Sequence, residues 1–126
     1  MKSFVDHIFR EINTKTNVLD EKLYGIEDEE ETACHYAKQG AIISEERWKD
    51  IENRKANYEN QKICLKFLKT KLWVHHNPGN SYKKEGFYLE IINKEVIQKL
   101  CDEENYQGCA LIRDFMDEII NYQLIK

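Results

Sequence analysis

The chain predicts a mainly α fold with a minor β component (α+β): one domain over residues 1–126, a helical bundle of five to six helices with one small β-hairpin near residues 71–92. Three observations predict it. The thirty residues from Ser44 to Trp73 contain neither glycine nor proline. Apolar residues recur at i, i+3 and i+4 in several separate stretches. A turn sequence around the only proline, Pro78, is flanked by two stretches rich in residues that suit strands.

Each element follows in order. Phe4, Val5, Ile8, Phe9 and Ile12 form an apolar stripe behind Ser3, a natural N-cap. The polar stretch from Asn13 to Asn17 is a poor helix former where a break is expected; Val18, Leu19, Leu23 and Tyr24 resume the pattern up to Gly25, a candidate C-cap. A third short helix near 27–39 opens on the acidic run from Glu27 to Glu31, whose carboxylates suit a helix N-terminus, and ends at Gly40.

Ser44, Glu45 and Glu46 open the long middle helix. At 100° per residue, Lys55, Lys62, Lys66 and Lys69 fall in a sector roughly 60° wide. Ala56, Asn60, Ile63, Cys64, Phe67 and Leu68 gather opposite, as a core face. Trp48, Ile51 and Tyr58 interrupt the lysine side, so the first half of this helix is expected to be covered by the acidic N-terminal region and the second half to be free.

Residues 71–76 and 86–92 are expected to pair as strands across the polar loop holding Asn77 to Ser81, with Phe87, Leu89 and Ile91 facing one way and Tyr88 and Glu90 the other. Asn93 then caps a helix with Val96, Ile97, Leu100 and Cys101, and a turn follows around Asp102 to Gly108. Leu111, Ile112, Phe115, Met116, Ile119, Ile120 and Leu124 give the last helix its continuous apolar face.

Composition narrows function by exclusion. With 41% hydrophobic and 33% charged residues the chain has enough apolar content for a core. Its four cysteines lack close spacing and read as reduced core thiols. No signal-peptide core and no apolar run of about 20 residues is present, so the default compartment is cytoplasmic, with no membrane partner. The net charge of −4 is segregated: residues 1–46 carry −6, residues 47–100 carry +6 and residues 101–126 carry −4. Oppositely charged elements packed beside one another account for this most simply.

No phosphate-binding glycine loop, nucleophile–base set or metal-ligand spacing stands out, so no catalytic residue, metal or cofactor is assigned. Adjacent His75 and His76 would point to opposite faces of a strand and share no metal. The leading expectation is a small non-enzymatic protein that binds another protein stoichiometrically. Immunity proteins of bacterial toxins and phage-encoded inhibitors of host defence share this acidic, motif-poor, single-domain profile. Candidate binding residues are the aromatic anchors Tyr58, Trp73 and Tyr82 and the charges Lys62, Lys66, Lys69, Lys83 and Lys84. One alternative is a nucleic-acid-binding regulator using the Lys55–Lys69 stripe and the Lys83–Lys84 loop, although a pI near 5.6 argues against it. Another is a small enzyme centred on His75, His76 and Tyr82.

Overall fold

The computed structural model describes residues 4–75 and 85–125, with side chains from 4–75 and 86–121. Two long helices, α1 (Phe4–Lys38) and α2 (Glu45–His75), form an antiparallel hairpin. The third helical rod begins as α3 (Glu85–Ile91), passes without a break through a π-helical segment (Ile92–Ile97) and continues as α4 (Gln98–Asp102). A short turn leads to α5 (Tyr106–Ile125).

There is no β-strand among the described residues, which overturns the expected hairpin near 71–92; with α3, the π segment and α4 forming one continuous rod, the described residues make four helices rather than the expected five to six. Residues 71–75 are the last turn of α2, because Leu72 continues the buried line of Leu65 and Leu68. On the far side, Tyr88 is 1% exposed and Phe87 38%, the reverse of the strand alternation. Buried Tyr88, Ile92, Val96 and Leu100 share one side of the third rod. The π segment, hydrogen-bonded i to i+5, puts extra residues into each turn and keeps both Val96 and Ile97 on that side. Asn93 therefore lies inside the rod and caps nothing.

The three short N-terminal helices are likewise one 35-residue helix. Part of its polar patch is satisfied within the helix, since Thr14 and Thr16 donate their hydroxyls to the carbonyls of Arg10 and Ile12 at 3.1 and 2.8 Å. Gly25 is helical, and the left-handed stop comes at Gly40 with φ 94°. Ser44 accepts a hydrogen bond from the Arg47 amide at 3.2 Å and opens α2.

A strict heptad explains why α1 does not break. Val5, Ile12, Leu19, Ile26 and Ala33 are seven apart and all buried; on α2, Ile51, Leu65 and Leu72 are buried at the same spacing, with Tyr58 half-buried between them. A sustained seven-residue period is the seam of a coiled coil, so packing between the two helices outweighs the weak local propensity. One half of the hairpin belongs to the main core, where Val5, Ile8, Ile12 and Leu19 meet Leu65, Leu68, Leu72 and the buried faces of the third rod and α5. The other half projects as a two-helix arm whose buried side chains, Ile26, Ala33 and Ile51, stand apart from that core.

Asn105 ties α5 to α2. Its Oδ1 accepts from the Gly108 amide at 3.0 Å as an N-cap, and its amide group exchanges hydrogen bonds with Asn60 at 3.0 and 3.1 Å. Cys64 and Cys109 are buried thiols, with burial pushing both upward in pKa; Cys101 is half-buried, whereas Cys34 is exposed, contrary to a core role for all four.

Candidate functional site

The heptad also sorts the lysine stripe. Lys55, Lys62 and Lys69 are seven apart and flank the seam, within reach of α1. Lys62 pairs with Asp20 at 2.5 Å, Lys69 donates to Asn13 Oδ1 at 3.1 Å, and Lys55 pairs with Glu30 at 3.6 Å. The hydrogen bond that Lys62 donates to Asp20 raises the Lys62 pKa, with burial opposing it. Arg54 adds a two-pronged pair with Glu29, at 2.7 and 3.1 Å, and also reaches Asp50. That guanidinium hydrogen bond holds Glu29 below the usual carboxylate range. The stripe is therefore chiefly an interhelical seam, and the expectation of a wholly free second half is corrected: Lys62 and Lys69 are both engaged.

Lys66 is different. It falls off the heptad, is exposed, and makes no ion pair or hydrogen bond among the described residues. It lies beside a groove of about 580 Å³ between α1 and α2. From α1 the groove takes Ile12, Asn13 and Thr16; from α2 it takes Lys62, Ile63, Lys66, Lys69, Thr70 and Trp73. Its floor is mainly apolar and its rim cationic. Ile63 is 65% exposed and Trp73 54%, and the Trp73 ring leans on Phe9 at 6.0 Å between centroids.

The groove faces away from α5. Lys15, which pairs with Glu118 and sits over the Phe115 ring, marks the α1 flank that α5 covers. Asn13 is roughly 200° from Lys15 about the helix axis and Thr16 roughly 100°. One face of the hairpin is thus packed by the rest of the fold, while the other carries the groove.

Four expected binding residues, Lys62, Lys66, Lys69 and Trp73, are brought together in this groove. Tyr58 is not: it sits half-buried at the seam, beneath the Lys22 ammonium at 5.3 Å. Tyr82, Lys83 and Lys84 lie outside the described residues, as does His76. The helical pattern puts Ile63 on the core face, yet it is exposed on the groove floor, and the α1 contributors Ile12, Asn13 and Thr16 are absent from the expected site residues. The heptad of α1 contains the signal that would have located them, because a seven-residue seam puts Asn13 and Asp20 in one flanking column opposite Lys69 and Lys62.

His75 closes a structural contact, with its Nε2 3.0 Å from Glu95 and its ring edge-on to Phe87 at 6.0 Å. A second cleft, of about 450 Å³, lies on the arm between Glu27, Glu31, His35 and Lys55. No three His, Cys, Asp or Glu side chains among the described residues are grouped to hold a metal ion. No helix among them is long and apolar enough to cross a membrane. Compared with protein-family models, curated proteins and solved structures, the chain finds no match in any of the three.

Proposed function

We propose that this protein works by stoichiometric binding to another protein, in the manner of immunity proteins and phage-encoded inhibitors, and that the α1/α2 groove is its docking surface. One observation carries the reading: two large apolar side chains, Ile63 and Trp73, stand exposed in one groove beside Lys66, which has no ion pair or hydrogen bond among the described residues. Exposed aromatic and aliphatic anchors grouped in a concavity supply the desolvated centre of a protein interface, while the surrounding charge steers encounter. The nucleic-acid reading is weakened by the same geometry, because Lys55, Lys62 and Lys69 already serve α1 and the floor between them is apolar. A phosphate backbone needs several uncommitted cations in a row.

Site-specific photo-crosslinking tests the reading in cells of the native host. A photoreactive phenylalanine analogue at position 63 is expected to yield one dominant protein adduct, whereas the same group at exposed Tyr36, near the tip of the arm, yields none. Equal labelling from both positions, or no adduct from position 63, counts against a docking groove.

A further inference from the structure

The geometry points to an acidic amphipathic α-helix as the occupant of this groove, lying along α1 and α2 as a further helix of the bundle. This rests on the protein-binding reading above and names the partner's chemistry. The groove runs between two antiparallel helices on the face opposite α5, and from Lys62 to Trp73 it follows twelve residues of α2, a rise of roughly 16 Å or three helical turns. Such a trough between parallel cylinders is the seat a further helix takes when its apolar stripe is laid into it.

Charge then selects the kind of helix. The floor offers Ile63 and the Trp73 ring, and the rim offers Lys62, Lys66 and Lys69, spaced four and three residues apart on α2. A facing helix with carboxylates flanking its apolar stripe meets that rim. A basic helix meets two uncompensated like charges, Lys66 and Lys69, because Asp20 offsets Lys62 while Asn13 is neutral. Lys66 is the pivotal cation, since Lys62 and Lys69 are shared with Asp20 and Asn13. Asp20 also gives the near end of the trough a negative neighbour, so an acidic partner is expected to pair most closely around Lys66 and Trp73.

The test uses the full chain with Trp48→Phe, which leaves Trp73 as the reporting tryptophan. The probe is a synthetic, end-capped peptide of about fifteen residues with leucine on one face and glutamate and alanine on the other. Titration by Trp73 fluorescence and by calorimetry is expected to show saturable one-to-one binding. The same peptide with lysine for glutamate is expected to bind at least about tenfold more weakly. Lys66→Glu and Ile63→Asp should each weaken the acidic peptide about tenfold, with unchanged far-UV circular dichroism, while Lys49→Glu on the arm leaves it unaffected.

The inference is overturned if the acidic peptide fails to saturate at hundreds of micromolar. It also falls if both peptides bind alike, if Lys66→Glu has no effect, or if dodecanoate below its micelle concentration or a thymidine dodecamer binds where the peptide does not. Failure here with a specific adduct from position 63 leaves protein docking standing and removes only the acidic helix. Peptide binding without any adduct in cells counts instead against the wider functional reading.

Discussion

Asn105 and Gly108 show how two residues outside any apolar pattern fix the junction of α5 with α2. A Cβ added at Gly108 would stand 2.5 Å from Cys64 Sγ and 3.0 Å from Asn105 Oδ1, so glycine is required for close approach. Gly108→Ala is expected to cost about 1–3 kcal/mol through overpacking. Asn105→Ala should cost a similar amount, about 1–3 kcal/mol, because it removes the N-cap and strands the part-buried amide of Asn60. Urea denaturation checks both. The neighbouring turn holds Glu104 at φ 60°, a left-handed position that sequence periodicity does not reveal.

At the scale of the element, the last helix was legible because Ile112, Phe115, Met116 and Ile119 carry a clean helical stripe, and all four are buried. Gly40 and Ser44 were equally legible, as stop and start. The false hairpin has a physical origin: Leu72 to His75 and Phe87 to Ile91 are rich in residues that suit either structure, and short apolar runs do not reveal their period. Continuity of α1 was hidden because Asn13 to Asn17 and Gly25 are poor helix formers judged locally, while the seam that holds them is a property of two helices together. The pairing of α1 with α2 also sets a pH dependence. Glu29 is depressed, so its contribution is complete above its ordinary value of 4.5 and is lost as pH falls through the lowered one. Arg54→Met removes that contribution at every pH. The difference in urea midpoint between the parent and this variant should therefore shrink from pH 7 toward pH 2, and a constant difference would contradict the pairing.

Across the whole molecule, segregated charge was legible as an intramolecular pattern, and the acidic side of α1 does meet the basic side of α2 at Glu29, Glu30 and Asp20. The groove was half legible: Lys66 and Trp73 were identified, but its α1 wall requires knowing which helix lies alongside. The long hairpin also divides the molecule into a broad core and a thin arm. Leu65→Ala in the core is expected to cost about 2–5 kcal/mol and to lower protection throughout, whereas Ile51→Ala should chiefly speed amide exchange in the arm. Hydrogen exchange followed by mass spectrometry distinguishes the two patterns.

The antiparallel register of α1 and α2 has a consequence for the order of folding. Glu29 and Arg54 are 25 residues apart in sequence, whereas Asn13 and Lys69 are 56 apart. Closure entropy grows with that separation, so contacts near Gly40 cost least to form, although the arm they build has the thinnest core. The chain thus has its easiest nucleation site at the end that stabilises it least. An arm that closes early aligns Leu19 with its partners before the broad core exists, and its kinetic value then exceeds its share of the final stability.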